Sequence, residues 1–151
     1  TIYRSGVHLV IAGNDNNFMQ DCLNLVKKFN LGRFVHFQGP VKSPEKEALY
    51  KGANLTAYVT VNETFGLVPI ESVLCGTEPV VANTAGVAEL LRKFNVGYEV
   101  EYGDTDALAE IFTRRGLNKN KVPNQKILKL LKGYNWGVVA RRFVSLYKNV
   151  K

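Results

Sequence analysis

Glu63-Thr-Phe-Gly-Leu-Val-Pro-Ile-Glu71 sets two carboxylates eight positions apart, with a glycine and a proline between them. An apolar stretch, Leu55-Thr-Ala-Tyr-Val-Thr-Val61, leads into it and predicts a strand. A strand that enters a tight turn and then a helix makes an anion cradle. The first N–H groups of the helix have no helical partner, and the macrodipole favours negative charge there. Pro69 fits the first helical turn, where its missing N–H costs nothing. Gly66 allows close approach and an unusual backbone angle. The N–H groups of Phe65, Gly66 and Leu67 then converge on an anion. A carboxylate accepts paired hydrogen bonds from a vicinal diol well. An acid at each edge of such a cradle therefore points to a ligand that combines phosphate with hydroxyl groups, as a nucleotide sugar does. Two plainer readings stand beside this one. Glu71 near the N3 position closes a capping box or favours the helix dipole, and Glu63 is an exposed loop residue.

The elements that must position these residues alternate between apolar runs and amphipathic stretches. Val7 to Ala12 reads as a buried strand, and Phe18, Cys22, Leu25, Val26 and Phe29 recur at helical spacing. Phe34 to Phe37 is the next strand, stopped by Gly39-Pro40. Ser43 as N-cap, Pro44 at N1 and Glu45 with Glu47 in an acidic first turn predict a short helix. Leu55–Val61 is a strand, Val68–Leu74 a helix closed by Gly76, Pro79–Ala82 a buried strand and Gly86–Phe94 a helix. Val96–Val100 reads as an edge strand and Asp104–Arg115 as a helix capped by Asp104. A loop over 116–124 leads to two closing helices, about Gln125–Leu131 and Trp136–Tyr147. Strands alternating with helices predict an α/β fold, a doubly wound, Rossmann-like parallel sheet covered on both faces, with ligands at the carboxyl ends of the strands.

The 151 residues fit one domain, and 46% hydrophobic content suffices for a core. No run of about 18 apolar residues predicts a membrane span, and the first residues do not have the pattern of a signal peptide. The expected location is cytoplasmic, with peripheral membrane contact as a further expectation. The net charge of +7 is concentrated in residues 114–151, which contain eleven Lys and Arg and no Asp or Glu. A solvated helical face and an anionic membrane surface are the two readings of that tail. Nucleic acid is not expected as a partner, because no recognition module is present. Cys22 and Cys75 show no zinc or redox spacing and are expected to be buried free thiols. His8 and His36 fall in strand patterns without a metal or triad signature, so packing or hydrogen bonding is expected of them. Asp15, Asp104 and Asp106 read as caps.

The ordered set Asn62 to Gly76, Pro79-Val-Val-Ala82 and Ala85-Gly-Val-Ala-Glu89 resembles the group 1 retaining glycosyltransferases of the GT-B fold. Glu63 and Glu71 match that family's E-x7-E motif. Leu9-Val-Ile-Ala-Gly13 resembles its strand before a glycine turn, Val35-His-Phe-Gln-Gly39 its base-contacting loop, and Tyr134 through Tyr147 its closing helix. The resemblance implies that the chain (1–151) is a nucleotide-sugar-binding domain like the C-terminal half of a GT-B enzyme. Glu63 would be the catalytic residue, touching the donor sugar beside the anomeric carbon and stabilising positive charge there. Phe65, Gly66 and Leu67 would offer N–H groups to the diphosphate, Glu71 would hold the ribose diol, and Gly39, Pro40 and Val41 would touch the base. The implied reaction transfers a hexose with retention to an acceptor such as a glycan or lipid. No metal or other cofactor is expected. The family's first strand and helix, with the basic residues that grip the diphosphate, would lie before residue 1, and the acceptor-binding domain is expected as a partner outside this chain. The chain alone is therefore expected to be inactive. Ala85-Gly86 and the extra residue Glu78 depart from the family pattern. A sugar-nucleotide epimerase of GT-B architecture and a non-catalytic nucleotide-binding module are the alternatives.

Overall fold

The computed structural model describes residues 6–15, 17–118 and 121–149; Lys119 and Lys151 of the basic tail, and residues 1–5, lie outside the described set. Five strands alternate with helices: β1 (Leu9–Ala12), α1 (Met19–Lys28), β2 (Val35–Gly39), α2 (Glu45–Gly52), β3 (Leu55–Tyr58), α3 (Leu67–Leu74), β4 (Glu78–Ala82), α4 (Gly86–Phe94), β5 (Tyr98–Val100), α5 (Thr105–Arg115), α6 (Asn124–Gly133) and α7 (Trp136–Asn149). Every strand pair is parallel, as helical crossovers require.

The strands form two hydrogen-bonded sheets where the sequence pattern predicts one. β1 pairs with β2, from Leu9 opposite Val35 to Ala12 opposite Gly39. β3, β4 and β5 form the second sheet in that order. Leu55 faces Glu78, Tyr58 faces Val81, and Val80 faces Tyr98. Sequence neighbours β2 and β3 do not share a ladder among the described residues.

The core sits around β4. Pro79, Val80, Val81 and Ala82 are all buried, so both faces of this strand are covered and its continuous apolar run is explained. Val73 of α3, Val87, Ala88, Leu91 and Phe94 of α4, and Val122 and Leu130 of the tail complete one cluster with it. β1 is not the fully buried strand expected: its residues alternate, and Val10 is 46% exposed. Val35 is the one buried residue among those described between 6 and 60.

Two boundaries differ from the sequence pattern for local reasons. β3 stops at Tyr58 rather than Val61, because its ladder partner β4 ends one residue beyond Val81. Ser43 does not cap α2; Pro44 occupies that position at φ −87°, where its missing N–H breaks no helical bond. Glu45 and Glu47 fill the first turn, favourable beside the dipole. Asp104 caps α5 as read, its Oδ1 accepting the N–H of Ala107 at 2.9 Å. Asp15 Oδ1 accepts the N–H of Met19 at 3.2 Å, but the N-cap position of α1 is Phe18, and Asp106 lies in the first turn of α5 rather than at its cap.

Part of the basic tail serves internal contacts. Lys121 Nζ donates to the carbonyls of Lys51 and Ala53 and to Thr77 Oγ1, at 2.9, 3.1 and 3.0 Å, capping the carboxyl end of α2 with a cation. Lys126 donates to the carbonyl of Asn95, which ends α4 in the left-handed region. Arg142 lies over the Tyr134 ring, which meets Phe94 edge-on at 5.8 Å. α7 stands apart, with Trp136 87% exposed and Phe143 and Tyr147 also exposed. No helix among the described residues is long and apolar enough to cross a membrane.

Candidate functional site

The two acids lie where β3 gives way to α3. After Tyr58 the chain leaves the ladder, Asn62 turns it at φ +60°, and Gly66 turns it again at φ +87° before α3 begins at Leu67. Only a residue without a Cβ suits Gly66: an added Cβ would lie 2.9 Å from Tyr58 Cε1. Pro69 is buried in the first turn of α3. Glu71 is the fifth residue of that helix, not near N3, and the first turn holds no acid, so the capping-box reading of Glu71 is set aside.

Glu63 is held inside its own turn. Tyr58 OH donates to Glu63 Oε2 at 2.8 Å, and the N–H of Phe65 donates to Oε1 at 3.3 Å. The Tyr58 hydrogen bond, then that of the Phe65 N–H, hold the Glu63 carboxyl below its ordinary value, with the N–H groups of Gly66 and Thr64 adding to this. The converging N–H groups of the turn thus already face an anion, the side chain of Glu63 itself. The plain exposed-loop reading of Glu63 omits these partners.

A second helix start locks the turn from behind. The N–H of Gly86 donates to the carbonyl of Glu63 at 3.3 Å, and the N–H of Val87 to that of Phe65 at 2.9 Å. An added Cβ on Gly86 would fall 1.9 Å from the carbonyl oxygen of Thr64. The Ala85-Gly86 pair therefore keeps its close backbone approach, with Gly86 as the position that makes it. The other departure, Glu78, is absorbed as the first residue of β4, where its carboxylate accepts Tyr98 OH at 2.8 Å.

α3 is anchored by buried hydroxyls next to Glu71. Ser72 Oγ lies 2.8 Å from both Thr56 Oγ1 of β3 and the carbonyl of Thr77, so the helix is tied to the chain on both sides of it. Glu71 itself faces α2. Lys46 Nζ approaches Glu71 Oε1 to 2.8 Å, and Tyr50 OH donates to Oε2 at 3.0 Å. Burial, then the hydrogen bond to Glu71, pushes Tyr50 well above the ordinary tyrosine value. The Gly39-Pro40-Val41 segment begins at the last residue of β2, with Gly39 at φ +70°, and feeds α2. Gln38 Nε2 donates to Glu45 Oε1 at 3.0 Å, joining the end of β2 to the start of α2. The segment expected to touch a base is therefore continuous with the helix whose side chains meet Glu71.

Tyr58, Lys46 and Tyr50 were not singled out from the sequence. The signal for the last two was present: positions 46 and 50 lie one helical turn apart on the short helix after Pro44. Tyr58 carried none beyond its place at the strand end. His8 and His36 answer to each other, with His8 Nδ1 2.9 Å from His36 Nε2 and the rings stacked. Cys22 and Cys75 are free and half-buried, less covered than expected.

Residues 3–125 match the model of the family described as glycosyl transferases group 1. An uncharacterized glycosyltransferase of Methanocaldococcus jannaschii is 29% identical over 150 residues, covering 96% of this chain and 38% of that protein. The phosphatidyl-myo-inositol mannosyltransferase of Mycobacterium leprae is 28% identical over 121 residues, covering 77% of this chain and 32% of that protein. The chain thus spans well under half the length of these relatives. Among solved structures, Anabaena HepE in complex with UDP and glucose superposes with a TM-score of 0.80 at 18% identity, over 95% of this chain and 41% of that one. Sucrose-phosphate synthase from Thermosynechococcus elongatus superposes with a TM-score of 0.73 at 25% identity, over 95% of this chain and 38% of that one. The fold is the Rossmann-like α/β half of a GT-B enzyme, and the chain belongs to the group 1 glycosyltransferases.

Proposed function

We propose that residues 1–151 form the donor-binding domain of a retaining hexosyltransferase that uses a nucleoside diphosphate sugar. The observation that carries this reading is the double hold on the E-x7-E acids. Glu63 is kept ionised by Tyr58 and the turn N–H groups, and Glu71 is presented from α3 with a partner on each oxygen. In this reading the ionised Glu63 stabilises positive charge that develops at the sugar's anomeric carbon, while the leaving phosphate helps deprotonate the acceptor. Glu71 accepts the ribose diol. The Leu67 N–H and the dipole of α3 face the diphosphate, the Phe65 and Gly66 N–H groups are shared between it and the Glu63 carboxylate, and Gly39, Pro40 and Val41 face the base. That HepE has been solved with UDP and glucose supports a nucleotide sugar as the ligand class.

The reading assigns the acceptor to a second domain of the same enzyme, and takes the diphosphate to be neutralised by N–H groups and cationic side chains without a metal. The exposed aromatic and basic side chains of α7 suit contact with an anionic membrane surface. The epimerase alternative needs a histidine and further carboxylates at the cleft, whereas His8 and His36 are engaged with each other.

Titration of UDP, GDP and ADP against the full-length protein tests the assignment. Glu71→Ala removes a charge-assisted contact worth about 1.5–3 kcal/mol and weakens the preferred nucleotide about 10- to 100-fold. Glu63→Ala lowers kcat for release of nucleoside diphosphate from the sugar donor far more than it lowers donor affinity. Equal binding by wild type and Glu71→Ala, or a Glu63 effect on affinity alone, refutes the respective role.

A further inference from the structure

The residues that hold Glu71 stand outside the E-x7-E motif, on α2. Lys46 and Tyr50 are separated by one helical turn and reach from the same face of that helix. Each takes one oxygen of the Glu71 carboxylate, Lys46 at Oε1 and Tyr50 at Oε2. A carboxylate offers about four lone-pair positions. One partner on each oxygen leaves acceptor capacity on both, in an orientation already fixed. A vicinal diol requires that arrangement, because its two hydroxyls donate side by side to two oxygens.

Tyr50 is fixed at its other end as well. Its backbone carbonyl accepts the hydroxyl of Thr77 at 2.6 Å, and Thr77 is fully buried. Thr77 Oγ1 accepts Lys121 Nζ in turn. The tyrosine is thereby clamped between the start of β4 and the acid it faces. Burial keeps its hydroxyl protonated, so it donates across the working pH range.

We propose that Tyr50, assisted by Lys46, is a positioning residue that orients the Glu71 carboxylate for a ribose diol and so sets the preference for ribonucleoside over 2′-deoxyribonucleoside diphosphates. This rests on the donor-site reading of Glu71 given above. Because α2 is continuous with the Gly39-Pro40-Val41 segment through the Gln38–Glu45 contact, the same helix links the part that faces the base to the part that faces the ribose.

The test is calorimetric titration of the full-length protein with UDP, GDP and ADP and their 2′-deoxy counterparts. Wild type, Tyr50→Phe, Lys46→Met, Glu71→Ala and the double variant Tyr50→Phe/Glu71→Ala are compared. Wild type is expected to prefer the ribonucleotide about tenfold or more, the weight of a hydrogen bond to a charged group. Glu71→Ala abolishes that preference. Tyr50→Phe keeps the ring and cuts the preference to about two- to threefold, leaving affinity for the deoxynucleotide unchanged. Adding Tyr50→Phe to Glu71→Ala changes nothing further, as expected for two residues acting through one contact. Lys46→Met, at a half-buried position of the same helix, reduces the preference in the same direction and gives the answer if Tyr50→Phe fails to fold. If Tyr50→Phe weakens both sugars' nucleotides equally, Tyr50 only packs and the proposal is overturned. If the preference survives Tyr50→Phe and Lys46→Met but disappears in Glu71→Ala, the donor site stands and the positioning role falls. If wild type binds none of the three nucleotides, or binds one without preference, the donor-site reading itself fails and takes this proposal with it.

Discussion

Tyr58 and Glu63 form the pair on which the chemistry of the turn depends. The tyrosine hydroxyl is the largest of the contacts that hold Glu63 below its ordinary carboxyl value, ahead of the Phe65 N–H. A group depressed in this way keeps its charge to lower pH than an ordinary glutamate, and loses it as the pH falls through its lowered value. Activity that needs ionised Glu63 should therefore hold through mildly acidic pH. Tyr58→Phe removes the leading contact and raises Glu63 toward its ordinary value, so the acid limb of the pH–kcat profile moves upward. An acid limb that stays in place in Tyr58→Phe would show that some other group governs it. The same substitution leaves the packing against Gly66 unchanged, because the ring that an added Cβ would strike is retained.

Among the elements, the start of α4 matters to the site although it carries none of the acids. Its first two N–H groups bond the carbonyls of Glu63 and Phe65, and Gly86 passes so close to Thr64 that no Cβ fits between them. Gly86→Ala must displace either α4 or the turn. Overpacking of this kind costs about 1–3 kcal/mol, and more where the neighbour is backbone. α4 is the more deeply packed partner, with Val87, Ala88, Leu90, Leu91 and Phe94 all buried, so the turn should yield. Gly86→Ala is expected to lose donor affinity beyond what its stability loss accounts for, measured by thermal unfolding alongside titration. Full donor affinity in a folded Gly86→Ala variant would refute the coupling.

Across the whole molecule, stability is unevenly distributed. The buried cluster joins α3, β4, α4, Val122 and α6, while β1, α1 and β2 contribute Val35 alone to the buried core. Local opening follows such differences, since segments with few buried apolar contacts open at low free energy. Amide hydrogen exchange should show β4 and α4 as the slowest segments and the β1–β2 ladder as markedly faster. Comparable protection in the two sheets would contradict this. The loop bearing Glu63 belongs to the slow part, because it is bonded to α4, whereas the Gly39-Pro40-Val41 segment sits at the border of the fast part.

The sequence by itself determined the alternation of strands and helices, the α4 boundaries, the Asp104 cap and the turn that carries Glu63 and Glu71. These follow from near-neighbour physics: apolar periodicity, a proline in a first turn, glycine where a Cβ clashes. The family, too, was legible from the ordered motif, because spacing along one strand–turn–helix unit is a local property. Tertiary structure alone decided what each acid touches. Tyr58, Lys46 and Tyr50 reach the acids from 5, 25 and 21 residues away, and the Gly86 contact on Thr64 spans two elements. The splitting of the sheet, the exposure of Val10 and the use of Lys121 as a helix cap were likewise invisible in the chain. Each depends on which surfaces meet after folding, and a one-dimensional pattern records a residue's preference for burial or pairing but not the partner that satisfies it.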